Sequence, residues 1–183
     1  MSKAGGVPHF IRPDRMVTHF HIRAGDRIAD VGSGAGHFLP VLGRAVGGDG
    51  RVYALEIQEG LVDLIGKKIA SEKLKNVDAL WCDVEGAEGT GLAGGTLDTV
   101  VLVNSLFQMV HKEEALKEIY RILRKGGRLF VIDWLGSFGG LGPHPEAVLT
   151  PETARGLVEN AGFFLERDFP ASVHHYGFAF RKT

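Results

Sequence analysis

The sequence predicts an α/β fold, a Rossmann-like, mostly parallel seven-stranded sheet with helices on both faces and an antiparallel last strand. Three observations carry that expectation. From Arg27 onward, short apolar runs alternate with longer segments of helical period, the pattern of a parallel sheet covered by helices. Leu97 to Val103 (LDTVVLV) is so uniformly apolar and β-branched that it reads as a central strand buried on both faces. The first apolar run leads straight into a glycine-rich loop and a helix, the junction at which open α/β sheets hold ligands.

In chain order, Arg27 to Val31 is the first strand, followed by a helix with Phe38, Leu42 and Ala45 on one face. Arg51 to Ile57 is the second strand, and Glu59 to about Lys73 is a helix carrying Leu61, Ile65 and Ile69 at four-residue steps. Val77 to Trp81 is the third strand and Leu97 to Val103 the fourth. Residues 112 to 124 place Leu116, Ile119, Tyr120 and Leu123 on one stripe, and Lys125-Gly126-Gly127 reads as a basic last turn with a glycine stop. Arg128 to Trp134 is strand five. After a Gly/Pro-rich stretch from Gly136 to Pro145, Thr150-Pro151 reads as a cap with proline at the first helical position, opening a helix that ends near Gly162. Phe163 to Phe169 and Val173 to Arg181 would form an antiparallel hairpin through Pro170-Ala171-Ser172.

Composition bounds the function. The 183 residues fit one domain, 1–183, with residues 1–25 as a less regular N-terminal segment, and 44% hydrophobic with 23% charged residues are ordinary globular values. Lys plus Arg number 21 against 22 Asp plus Glu, so no global charge draws the chain to nucleic acid or anionic lipid. Cys82 is the single cysteine, which excludes an internal disulfide or a multi-cysteine zinc site and fits a reducing, cytoplasmic compartment. The first residues lack the apolar core of a secretory signal, and no apolar run approaches the roughly 20 residues that span a bilayer. A soluble protein without a membrane span is expected.

The segment Ile28-Ala29-Asp30-Val31-Gly32-Ser33-Gly34-Ala35-Gly36 joins a strand, an acid and a glycine loop at the start of a helix. Missing side chains let the backbone approach a ligand, and free N–H groups at the helix start favour an anionic or polar group. The dinucleotide fingerprint would place a small residue where the chain has His37, and no glycine precedes a Lys-Ser or Lys-Thr pair as in a P-loop. Glu56, 24 residues after Gly32, stands where a carboxylate can accept from both hydroxyls of a ribose. Asp83, at the end of the third strand, is placed to accept from an exocyclic amine. A solvated strand-end Glu and an ordinary loop-start Asp are the plainer alternatives.

This pattern resembles the class I S-adenosylmethionine-dependent methyltransferases, in particular the small ubiquinone/menaquinone-biosynthesis-like, or type 11, group. The resemblance spans about residues 10 to 182. It is carried by IADVGSGAG at 28–36, VYALEI at 52–57, CDVEG at 82–86, LDTVVLVNSLF at 97–107 and EALKEIYRILRKGGRLFVIDW at 114–134. It implies S-adenosylmethionine as cofactor and S-adenosylhomocysteine as product. Gly32, Ser33, Gly34 and Gly36 would then face the methionine part, with Asp30 ordering its amino group. Glu56 would hold the ribose, Ile57 would lie against adenine with Asp83 and Val84 at its edge, and Asn104 would border the transferring methyl.

Displacement at a sulfonium methyl chiefly needs an acceptor held in line and any departing proton accepted. The acceptor is expected at the carboxyl edge of the strands, among the N-terminal segment, the 104–111 turn, the 134–150 loop and the 168–176 hairpin. His9, His19, His111, His144, His174 and His175 all fall in or beside these segments. His111, His175 and Tyr176 are the candidate catalytic groups. Phe10, Trp134, Phe138 and Tyr176 are candidates to line an apolar acceptor pocket. His19-Phe20-His21 and His174-His175 lack acidic or cysteine partners at metal-ligand spacing, so no metal is expected. The resemblance also sets limits: the similar arsenite methyltransferases use several cysteines where this chain has one, and the usually longer quinone-modifying members differ from a chain with no substantial helical insertion after strand five to act as a lid. A small or exposed acceptor, or a partner copy closing the site as a homodimer, would follow. Two other functions share these features: a nicotinamide-dependent oxidoreductase, opposed by His37 and the lack of a Tyr-x-x-x-Lys pair, and a non-catalytic cofactor-binding partner subunit.

Overall fold

The computed structural model describes residues 11–183; His9, Phe10 and the rest of the first ten positions lie outside it. Seven strands form one sheet in the order β3-β2-β1-β4-β5-β7-β6. They are β1 (Arg27–Val31), β2 (Arg51–Glu56), β3 (Val77–Trp81), β4 (Leu97–Val103), β5 (Leu123–Trp134), β6 (Phe163–Ser172) and β7 (His175–Lys182). β1 to β5 run parallel, and β7 is antiparallel to both β5 and β6. β4 stands in the middle, as its apolar run predicts. The helices are α1 (Pro13–Met16), α2 (Leu39–Val46), α3 (Glu59–Ser71), α4 (Lys112–Ile122) and α5 (Pro151–Asn160).

Two apolar clusters fill the space on either side of the sheet. One joins Val100 and Leu102 of β4 to Leu116 and Ile119 of α4 and Val158 of α5. The other joins Val101 to Leu39, Leu42 and Val46 of α2 and Ile65 of α3. Alternate residues of β4 thus feed opposite cores, as the two-residue strand period requires. At the start of α5, the Thr150 hydroxyl accepts the Thr153 N–H with Pro151 in the first turn, as the sequence predicts.

Four boundaries differ from the sequence reading. Lys125-Gly126-Gly127 does not close a helix: α4 ends at Ile122, Leu123 is already extended at φ −70° and ψ 137°, and the glycines lie inside β5. The β4–β5 register shifts there, from Leu97 opposite Leu123 to Thr99 opposite Arg128, so the extra residues bulge rather than cap. The final hairpin turns at Val173-His174, because Pro170 and Ser172 still pair with Tyr176 and His175. Proline is admitted since β6 is an edge strand. α3 stops at Ser71 and β2 at Glu56, so Ile57 begins the connection between them.

The β3–β4 crossover contains turns and no helix. α4 holds it from below. Thr90 donates its N–H and hydroxyl to buried Glu118 Oε1, at 3.2 and 2.5 Å, and Arg121 donates to the Leu92 carbonyl at 2.8 Å.

Candidate active site

β1 ends where the glycine loop begins, and β2 supplies its support. The Gly32 and Ser33 N–H groups both donate to the Leu55 carbonyl, at 2.9 and 3.2 Å. Ser33 Oγ donates to the Asp30 carbonyl at 2.8 Å. Gly32 has φ +69°, and a Cβ there would stand 2.8 Å from Ser105 Cβ, so only glycine lets β1 and the post-β4 turn approach. Gly34 has φ +55°, and a Cβ there would meet nothing within 4 Å. Its bare face opens on empty space. Gly36 differs, since Leu39 Cδ1 would lie 2.7 Å from its Cβ.

Two cavities meet at this loop. The first, about 300 Å³, is lined by Gly32, Gly34, Glu56, Ile57, Asp83 and Val84 among others. The second, about 500 Å³, is lined by Asp30, Ser33, Asn104 and His37, with Ile11 and Pro13 from the N-terminal segment. Gly32, Gly34 and Gln108 border both. Of the ten cofactor-site residues expected from sequence, nine line one or both cavities; Gly36 lines neither and sits at the foot of α2.

Glu56 is 5% exposed and accepts three backbone N–H groups: Gly34 at 2.9 Å on Oε2, and Ile57 and Gln58 at 3.0 Å each on Oε1. Asp30 is 3% exposed. Burial pushes its carboxyl up to about 7, the Ser33 hydroxyl opposes this and the Glu56 charge adds to it. A cation brought beside Asp30 would restore its ionised form. Ile57 and Trp81 project at the rim, joined by the Trp81 indole N–H donating to the Ile57 carbonyl at 2.8 Å. Burial raises the Cys82 thiol to about 11, so it is no nucleophile at neutral pH.

The turn after β4 is pinned to β5. Asn104 donates its N–H to Ile132 at 2.8 Å, and Phe107 donates to Asp133 Oδ2 at 3.0 Å. Asn104 has φ +54°, and its Oδ1 and the Ser105 Oγ are buried without a hydrogen-bond partner among the described residues. Two unpaired polar groups at the junction of the cavities fit a polar ligand. Together with the open face of Gly34 and the acids at both ends, this donor set fits a nucleoside carrying a cationic amino-acid tail. Sequence reasoning missed Ser105, Gln108 and Asp133. Only the fold brings Ser105 and Gln108 to the cavities and Asp133 under the turn after β4, although the Asn-Ser pair after a buried strand was a signal.

The candidate catalytic groups occupy other ground; none lines either cavity. His111 is exposed at the start of α4, its N–H donating to Glu85. His175 is 2% exposed, its Nδ1 2.7 Å from Ser172 Oγ, its ring tilted on Trp134 with centroids 4.0 Å apart. Burial lowers it to about 4, and His174 adds to the shift. Tyr176 donates its hydroxyl to the Leu149 carbonyl at 3.1 Å, and burial, then Asp133, raises its pKa. Phe138 lies against His174 with centroids 4.2 Å apart, so Trp134, Phe138 and Tyr176 pack between the 135–149 loop and the hairpin, while Phe10 lies outside the described residues.

Comparisons with known proteins agree with this geometry. A family described as "Methyltransferase domain" matches residues 28–127. The ubiquinone/menaquinone biosynthesis C-methyltransferase UbiE of Klebsiella pneumoniae subsp. pneumoniae is 32% identical over 117 residues, covering 62% of this chain and 44% of the relative. The chain thus spans less than half the length of the curated relatives it matches. The crystal structure of a SAM-dependent methyltransferase from Aquifex aeolicus has a TM-score of 0.88 at 27% identity, covering 94% of this chain and 90% of that one. Geranyl diphosphate C-methyltransferase from Streptomyces coelicolor A3(2), solved with S-adenosyl-L-homocysteine, shares the fold with a TM-score of 0.77 at 12% identity, over 93% of this chain and 78% of its own. With the family match covering more than half of its residues, the chain belongs to the methyltransferase domain family.

Proposed function

We propose that the protein transfers the sulfonium methyl of S-adenosylmethionine to a small, largely apolar acceptor held in the second cavity. One observation carries this reading: the two cavities share Gly32, Gly34 and Gln108, so a methyl presented across the glycine loop faces the second space. The bound cofactor supplies an activated methyl; the chain's residues position and select. Glu56 receives the ribose hydroxyls, Ile57 covers adenine with Asp83 and Val84 at its edge, and Asp30 takes the amino group. Asn104 borders the methyl. Ile11, Pro13, Phe38 and Val103 give the acceptor space an apolar wall with no Lys or Arg among the described residues, which disfavours an anionic acceptor.

His111, His175 and Tyr176 line neither cavity and enter the proposal as groups on the same sheet edge that shape the acceptor side. The names of the curated relatives make a flat quinone-like ring the first acceptor to screen. The net charge of −1 speaks against a nucleic-acid partner, and the lone Cys82 suits the cytoplasm. Among the described residues, no helix is long and apolar enough to cross a membrane. Leu135, Leu141 and Val173 are exposed beyond the same strand ends, and a second copy of the single-domain chain seated there would close the site.

The test is thermal unfolding with S-adenosylmethionine, S-adenosylhomocysteine, NAD or NADP. Ligand at a hundredfold over its Kd stabilises by about 2.7 kcal/mol, which moves the midpoint by roughly 5–11 °C. A shift with the two sulfur nucleosides alone is expected, and a shift with NAD or NADP alone would overturn the proposal. Retention of wild-type turnover by His111→Ala, His175→Ala and Tyr176→Phe would remove those three from it.

A further inference from the structure

A third cavity, about 270 Å³, lies at the opposite edge of the sheet and is lined by the guanidinium-bearing Arg23, Arg124, Arg128 and Arg181, with Asp26 and Asp98. It sits at the amino ends of β1, β4 and β5, whereas the cofactor loop leaves the carboxyl ends; seven residues of β4 separate the two by roughly 20 Å. Its two carboxylates are already engaged. Asp98 accepts the Arg27 N–H at 2.8 Å and Arg124 Nε at 2.6 Å, and Asp26 accepts the Arg23 N–H at 2.8 Å. Glu166, outside the lining, takes Arg128 Nε at 3.0 Å and Arg181 Nε at 2.5 Å.

These bonds leave donors over. A guanidinium carries five N–H groups. Arg128 spends only Nε, Arg124 spends Nε and one terminal nitrogen on the Lys125 carbonyl, and the Arg23 side chain makes no hydrogen bond or ion pair among the described residues. Four guanidinium charges thus stand against three carboxylates, Asp26 and Asp98 in the lining and Glu166 beside it, and the unspent donors belong to planar forks whose geometry matches tetrahedral oxyanions.

We infer that this cavity is a binding site for a phosphate-type dianion, separate from the methyl-transfer site. Its probes are inorganic phosphate and pyrophosphate, titrated to about 10 mM with ionic strength held constant by sodium chloride, followed by calorimetry and unfolding midpoint. Saturable binding is expected, tighter for pyrophosphate. Arg23→Gln should weaken it by about tenfold and Arg23→Glu should abolish it, because charge-assisted bonds are lost. S-adenosylhomocysteine affinity should stay within about twofold in both variants and with phosphate present. A linear, non-saturating response, binding indifferent to both Arg23 substitutions, or competition with S-adenosylhomocysteine would each overturn the inference. None of these results depends on turnover, so failure here is distinct from failure of the methyltransferase proposal.

Discussion

Gly34 donates its backbone N–H to Glu56 Oε2 at 2.9 Å, so the acid proposed to hold the ribose also holds the glycine loop. A carboxylate has about four lone-pair sites, and three backbone N–H groups already use Glu56. Two ribose hydroxyls therefore need Gly34 to yield its place. Glu56→Gln should lower S-adenosylhomocysteine affinity by about 10- to 100-fold, since an amide offers one acceptor oxygen and turns donors toward N–H groups. Calorimetric titration checks this, and an affinity within twofold of wild type would remove Glu56 from the ribose site.

Asp30 gives the cofactor site a pH dependence. Its carboxyl is raised by burial to about 7, so the folded state binds its proton more tightly than the unfolded chain. Its contribution to stability therefore declines as pH rises from about 4 through 7. A cationic amino group favours the ionised form, so S-adenosylhomocysteine affinity should climb between about pH 6 and 8 and then level. Asp30→Asn should flatten that profile and weaken binding at pH 8 by about tenfold or more. A wild-type Kd independent of pH over this range would show that the amino group sits elsewhere.

Ser105 separates a ligand contact from a structural one. Its Oγ is buried without a partner among the described residues, and such a hydroxyl destabilises by about 1–3 kcal/mol. Ser105→Ala should leave the ligand-free unfolding midpoint unchanged or raise it by a few degrees. The same change should reduce S-adenosylhomocysteine affinity by about 3- to 30-fold if the bound molecule supplies the missing partner. Lower stability with unaltered affinity would mean that the hydroxyl serves the fold.

The sequence exposed most of this site because its residues follow strand ends. Asp30, Glu56, Asp83 and Asn104 each stand at or just beyond the end of a strand whose apolar run is unmistakable, and parallel packing brings those ends to one edge. What stayed hidden depends on register and turn position. Lys125-Gly126-Gly127 looks like a helix stop until the β4–β5 pairing shows a bulge, and Pro170 looks like a turn until its edge location is known. His175 and Tyr176 reach the expected edge, but strand alternation and the 135–149 loop bury them, which no local pattern announces.

His175 should tie stability to acidity. Burial lowers it to about 4, so above about pH 6.5 it is neutral in both states and exerts no pull. As pH falls from 6.5 toward 4 the unfolded chain takes up a proton that the folded chain refuses, and stability drops by on the order of 3 kcal/mol before levelling. His175→Phe keeps a ring against Trp134 and removes the titration. The difference between the midpoints of the two proteins should hold from pH 7.5 to about 6.5 and narrow from there to 4.5; a difference constant over the whole range would mean that His175 titrates normally.

Glu118 is the hinge between α4 and the helix-free β3–β4 crossover. It is 4% exposed, receives both Thr90 donors and pairs with Arg121 at 2.7 Å. Burial alone would raise its carboxyl, yet the Arg121 and Thr90 hydrogen bonds outweigh that and hold it below the usual range. Its stabilisation is thus present at neutral pH and lost as pH falls through the lowered value. Because the Arg121 side chain is 30% exposed, Glu118→Gln should cost about 1–3 kcal/mol, less than breaking a fully buried pair, or roughly 2–12 °C in midpoint. The freed crossover includes Asp83 and Val84, which line the first cavity and are proposed to edge adenine. Faster proteolysis within residues 85–96 and a two- to fivefold loss of S-adenosylhomocysteine affinity should accompany the loss of stability. If the midpoint fell while cleavage and affinity stayed at wild-type values, α4 would support the core without holding the rim.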